Sequence, residues 1–156
     1  MKMSGLTNEY VEGLGKKVCG KFFLGTFPCD LLPKVDRKKS FSLIINLSKH
    51  NTNGSHFVAL FADKNILMYF DPLDNKCNNK YILKFIRENR KKRKIKQKFK
   101  KIQSDESIFC GYFCIAFLLS RKLNLSFKLF FSKFDYKNLK NNDSHVISFI
   151  QNHLFI

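Results

Sequence analysis

Tryptophan is absent from this 156-residue chain, and acidic residues are few, 12 Asp and Glu against 29 Lys and Arg. The missing Trp carries no functional information. The missing acid does: a formal charge of +17 makes a polyanion the expected partner, with nucleic acid ahead of an anionic membrane. Five cysteines, an odd number without paired spacing, exclude a disulfide framework, and together with the histidines they exclude a zinc site of ordinary ligand spacing. No basic-then-apolar leader opens the chain, so the expected setting is reducing and intracellular. No apolar run approaches the ~18 residues of a membrane span, so a soluble protein without a membrane partner is expected. Glycine-rich phosphate loops, internal repeats and linkers are also lacking. With 44% hydrophobic and 15% aromatic residues, the chain is read as one globular domain over 1–156.

What is present centres on Gln103 to Cys114, a polar loop that turns into an apolar helix at Cys110. Such a helix aims its unpaired N–H groups and the positive end of its dipole at the sulfur, which favours thiolate, the nucleophilic form. Gln103 and the Cys110 N–H are candidate donors to an oxyanion formed beside that sulfur. A lone Cys at a helix start is more often a core thiol, so the functional reading needs a base and a group to orient it.

Read in order, Thr7 caps a helix with Tyr10, Val11, Leu14 and Val18 near one face. Phe22 to Pro33, aromatic and interrupted by two prolines, reads as an extended loop. Strands are predicted at Phe41–Leu47, at His56–Phe61 after a polar turn with Asn53-Gly54, and at Ile66–Phe70. The last two form a hairpin, which brings His56 and Asp71 to one end as neighbours and supplies the base and its orienting acid. His50, His145 and His153 have weaker contexts. Asn78 or Asn79 caps a helix carrying Tyr81, Ile82, Phe85 and Ile86. The Cys110 helix ends near Leu123, and Ser126 to Phe134 is left as helix or loop. A last helix, capped by Asn142 or Asp143, carries Val146, Phe149 and Ile150.

Between these lies Arg90 to Lys101, in which nine of twelve residues are basic. From Lys94 the pattern alternates, predicting a strand with Lys94, Lys96, Lys98 and Lys100 on one face and Ile95, Gln97 and Phe99 on the other. That face is the candidate DNA track, without sequence specificity; a solvated edge or a nuclear-import signal is the plainer reading. Without these nine charges the remainder still carries +8.

The order His56, Asp71, Gln103, Cys110 and the seven-residue step from Gln103 to Cys110 are specific as a set. With Phe23-Leu-Gly-Thr-Phe-Pro-Cys-Asp30, Ile45-Asn46, Gly54-Ser-His-Phe-Val-Ala-Leu60, Tyr69-Phe-Asp-Pro72 and Cys110-Gly-Tyr-Phe-Cys114, the chain resembles the adenovirus-type cysteine proteases, the adenain family, including versions carried by adenovirus-like viruses and large DNA transposons. The resemblance implies an α+β, papain-like fold of the ubiquitin-like-protease clan, a mixed sheet flanked by helices with the nucleophile at the N-terminus of a central helix. It implies His56 as base, Asp71 as orienting carboxylate, Gln103 as oxyanion donor and Cys110 as nucleophile. It further implies an endopeptidase that cuts capsid and core precursors after glycine, works as a monomer in the virion and host nucleus, and uses no metal or small-molecule cofactor. Some members are stimulated by DNA and by a viral peptide. Two departures stand out: Phe57 replaces the usual Trp, and no cysteine between Arg87 and Gln103 can bond the activating peptide, leaving Cys77, Cys29 and Cys19 as conceivable attachment points. Cys114 is read as a core thiol. The alternatives are a deconjugating protease of the same clan and a basic DNA-packaging protein on an inherited protease fold.

Overall fold

Three strands that are apolar at nearly every position require cover on both faces of a sheet, and the computed structural model, which describes residues 6–154, has that layering. Strands β1 (Phe23–Pro28), β2 (Phe41–Asn46), β3 (Phe57–Ala62), β4 (Ile66–Phe70) and β5 (Lys94–Lys96) lie side by side in chain order. The inner pairs β2–β3 and β3–β4 are antiparallel, whereas β1 and β5 run parallel to their neighbours, so the sheet is mixed. One face, with Ile44, Ala59, Met68 and Phe70, packs against helices α1 (Asn8–Val18), α3 (Cys110–Lys122), α4 (Phe127–Phe131) and α5 (Asn142–His153). The other, with Leu43, Ile45, Val58, Leu60 and Tyr69, is covered by Ile82, Phe85 and Ile86 of α2 (Lys80–Asn89). The α+β architecture expected from the sequence is thus the one observed.

Helix α3 is apolar nearly all round, and accordingly it sits in the middle, its residues buried from Cys110 to Ser120 except Tyr112. Phe117 stacks on Phe70 of β4 with centroids 4.3 Å apart, and Phe99 meets both edge-on. Gly111 lets α1 approach: a Cβ there would meet Val11 Cγ2 at 2.8 Å. Thr7 and Asn79 cap α1 and α2 as the sequence indicates.

Three expectations are corrected. The Phe22–Pro33 segment is not a loop throughout: its first part is the edge strand β1. Proline is tolerated because Pro28 closes an edge strand, and the register shift between Phe23 and Thr26 is absorbed at Gly25, whose φ of 137° is open to glycine. The strand expected through Lys100 stops at Lys96. Phe99 turns inward onto the α3 and α4 aromatics, and its N–H donates to Asp74 Oδ1 at 3.1 Å. Lys96 Nζ lies 4.9 Å from the Phe99 centroid and Lys100 Nζ 5.0 Å from that of Tyr136, so the four lysines share no single face. Neither Asn142 nor Asp143 caps α5, whose N-cap is Asn141. Asn142 is instead wholly buried, donating to the carbonyls of Ile102 (2.8 Å) and Asp135 (2.9 Å) and accepting from the Asp135 N–H (2.7 Å). Ser126 to Phe134, left open by the sequence, holds α4 with Ser126 as its cap.

Asn142 therefore ties α5 to the residue before Gln103. Replacing it by Ala strands three buried backbone groups, and an expected loss of about 2–4 kcal/mol should appear as a lower urea midpoint without a change in slope.

Candidate active site

The β3–β4 hairpin pairs Ala59 with Phe70, so the start of one strand and the end of the other meet at the same edge. His56 is fixed there by its backbone, whose carbonyl accepts from the Leu47 N–H at 2.9 Å and so extends the β2–β3 ladder. Its Nε2 lies 2.7 Å from Asp71 Oδ1, an oxygen that also accepts from the Leu73 N–H at 2.8 Å. Asp71 is thereby oriented from two sides while only 4% exposed. Pro72, the next residue, offers its carbonyl to the N–H groups of Ile102 (3.0 Å) and Gln103 (3.1 Å), which brings the Gln103 segment alongside the acid.

Cys110 is the first residue of α3, and no side chain caps that helix. Its first-turn N–H groups therefore remain free of a side-chain acceptor. The Phe57 N–H points at Cys110 Sγ from 3.4 Å, a second backbone dipole favouring negative charge on sulfur. Asp71 and Cys110 both act on the His56 imidazole. Burial alone would lower the His56 pKa, but the hydrogen bonds and charges of Asp71 and Cys110 outweigh it and push the value up to about 9. The ring is thus cationic at neutral pH, with Nε2 on the carboxylate and the other nitrogen left for sulfur.

Gln103 is 2% exposed, and its Nε2 donates to the Ser107 carbonyl at 3.0 Å, which fixes the amide's orientation. A primary amide has two N–H groups, so one remains. Ser107 is anchored in turn by its hydroxyl, which donates to Asp143 Oδ1 at 2.6 Å. The four residues singled out from sequence border a cleft of about 830 Å³ or stand directly behind it: His56, Gln103 and Cys110 line the wall, and Asp71 backs His56.

Sequence reasoning assigned no role to Asn46, although it stands in a quoted motif. Its Oδ1 accepts from the Ser48 N–H (2.9 Å), folding the loop that leads to His56, and its Nδ2 donates to Asn8 Oδ1 of α1 (3.1 Å). A Cβ at Gly54 would lie 2.9 Å from Asn46 Nδ2, which accounts for glycine at that point of the loop. A buried polar residue closing a strand was the available signal. The basic residues Lys94, Lys96, Lys98 and Lys100 do not line the cleft.

The remaining thiols are buried, Cys19, Cys29 and Cys77 at 5%, 2% and 4% exposure, so none is presented on the surface for a peptide disulfide. Burial pushes Cys19 up to about 12 and Cys114 well above an ordinary thiol, in keeping with core roles. Among the described residues no group of three or more His, Cys, Asp or Glu is arranged to hold a metal ion, and no helix is long and apolar enough to cross a membrane.

A mixed sheet packed by helices, with a cysteine opening the central helix beside a histidine–carboxylate pair, is the architecture of the cysteine peptidases, and fold and site put the chain in that class. Its family is that of the adenovirus endoproteases: residues 23–134, which include all four site residues, match that family, and the chain belongs to it. It is 34% identical over 131 residues to the protease of bovine adenovirus 7, a match that takes in 74% of this chain and 64% of that relative, so the chain spans less than two thirds of the relative's length. Two crystal structures of the ASFV pS273R protease share its fold, with TM-scores of 0.55 and 0.53 at 18% and 19% identity, each covering 76% of this chain and 44% and 43% of theirs.

A histidine whose pKa rises on folding favours the native state while it is protonated. Its contribution is fully present below about 6.5, the unfolded value, and is lost as pH rises through about 9. The melting temperature should accordingly fall more steeply between these limits in the wild type than in His56→Gln. Parallel curves would show that the pair does not carry the linkage.

Proposed function

We propose that this protein is a cysteine endopeptidase with His56, Asp71, Gln103 and Cys110 as its catalytic set. The observation that carries the reading is the Asp71 carboxylate held 2.7 Å from the His56 imidazole in the same cleft as a thiol at a helix N-terminus. His56 and Cys110 form an imidazolium–thiolate pair, and Asp71 holds the imidazolium in place. The thiolate attacks the scissile carbonyl, and the carbonyl carbon–sulfur bond forms as its electron pair moves to oxygen. That oxyanion receives the free N–H of Gln103 and the Cys110 N–H. Collapse expels the leaving amine, which takes the proton from His56, and water then hydrolyses the thioester and restores the thiol.

The substrates are read as structural precursor proteins of a virus or virus-like element, cut after glycine, a residue that passes a narrow cleft between the Gly54–Phe57 loop and α3. The family supports this reading, as does the cleft, which keeps Phe57 at the place usually held by Trp. DNA is proposed as a stimulating polyanion without sequence preference, supported by the charge of +17, and a viral peptide activator, if used, binds without a disulfide to the buried thiols. The protein is read as a monomer that acts in the virion and the host nucleus.

A glycyl vinyl sulfone probe followed by mass spectrometry should give one adduct, on Cys110, absent in Cys110→Ser. Cleavage of a glycine-containing precursor should fall at least about 10³-fold in Cys110→Ala and His56→Ala and less, about 10–10²-fold, in Asp71→Asn. Unchanged cleavage in Cys110→Ala would refute the assignment. A rate that does not respond to duplex DNA at low or moderate salt would remove DNA as an activator and leave the peptidase reading standing.

A further inference from the structure

At the end of the sheet opposite His56 lies a concavity of about 620 Å³ whose every lining residue is basic: Arg37, Lys38, Lys64, Lys91, Lys92 and Arg93. These come from three separate segments, the approach to β2, the β3–β4 turn, and the link from α2 to β5. His56 precedes β3 and Lys64 follows it, so the strand's six residues put about 20 Å between the two ends.

One buried residue assembles the three segments. Arg93, 4% exposed, donates from Nε to the Asp63 carbonyl, from Nη1 to that of Asn89 at 3.1 Å and from Nη2 to that of Lys39 at 2.8 Å. Each of those carbonyls belongs to a segment that carries exposed cations of the concavity. All three partners are neutral, so the guanidinium charge is not cancelled and adds to the local field. Among the described residues no carboxylate lies within 4.0 Å of the charged groups of Arg37, Lys38, Lys64, Lys91 or Lys92. The nearby acids are engaged in turns: Asp63 Oδ1 accepts from the Asn65 and Ile66 N–H groups, and Asp36 Oδ1 from that of Lys38. Like charges are thus held together by the fold without internal compensation.

We propose that this concavity is a binding site for a compact, multiply phosphorylated molecule. Lysine ammonium groups meet phosphate as point charges, and three anchored segments present them from three sides. No aromatic ring lines the concavity to stack a base, and no amide or carboxylate side chain is present to read one, so recognition is of phosphate alone. A concavity of this size, framed by three short segments, suits a small ligand better than the flank of a duplex. The site is separate from the cleft and does not depend on the peptidase reading.

Inositol hexakisphosphate serves as the probe, titrated calorimetrically against the full chain in about 0.15 M salt. Saturable binding of about one molecule per chain is expected, weakened at least about tenfold in Lys38→Gln/Lys64→Gln/Lys92→Gln and within about twofold of wild type in Lys17→Gln/Lys128→Gln/Lys137→Gln, which removes the same charge from other exposed positions. Arg93 is retained in both variants because the fold uses it. Equal weakening in the two variants would overturn the site in favour of diffuse net charge. Absence of saturable binding, with a 20-base-pair duplex held in a manner sensitive only to the first variant, would overturn the compact ligand in favour of nucleic acid.

Discussion

The stacking of Phe70 on Phe117 is the contact on which the rest of this molecule depends. Phe70 is the residue before Asp71, and Phe117 lies two turns along the helix that Cys110 opens. One aromatic pair therefore ties the strand end that carries Asp71 to the helix that presents the Cys110 thiol. Phe99, Phe130 and Phe131 crowd the same stack, so the separation of the reacting groups is held by close-packed rings rather than by loops. In a chain with 18 phenylalanines and no tryptophan, the aromatic mass sits where that rigidity is required.

Much of this was legible in the sequence because it rests on local signals. The hairpin shows itself as two continuous apolar runs joined by a short turn, so the neighbourhood of His56 and Asp71 follows from residues 56 to 71 alone. The helix start at Cys110 is equally visible, since a polar loop passes abruptly into an apolar run. What was illegible depends on contacts distant in sequence. Nothing local tells that Phe99 turns inward after Lys96, because Ile95, Gln97 and Phe99 alternate with lysine as a strand would; the aromatics of α3 and α4 decide it. Asn142 likewise reads as a helix cap, and only the position of the Ile102 carbonyl, forty residues earlier, makes it a buried bridge. β1 was obscured by Pro28 at its end and Pro33 beyond it, of which the first is excused by the edge position.

Charge is distributed with the same economy. Acidic side chains are scarce, and several are consumed as backbone acceptors in turns, Asp63 and Asp135 among them, leaving few to neutralise the lysines. The cleft, by contrast, is lined by no Lys or Arg among the described residues, although such residues make up 29 of 156, and it does include Glu9 and Asp105. Asp105 is paired with Lys101 at 2.7 Å, so the cleft carries little of the positive charge found over the rest of the protein. Such a recess does not draw polyanions into the cleft, and binding at the basic end leaves it open.

Ser107 bridges Gln103 to Asp143 of α5, so the Gln103 side of the cleft is braced by an element that follows it in the chain. During synthesis the hairpin can close as soon as its own residues are available, but the Cys110 helix has no complete bed until α5 has emerged and docked. The order of translation therefore acts as a delay. A nascent chain carries His56 and Asp71 side by side well before Cys110 is braced, and a ribosome-bound fragment ending before α5 lacks the Ser107–Asp143 brace of the cleft.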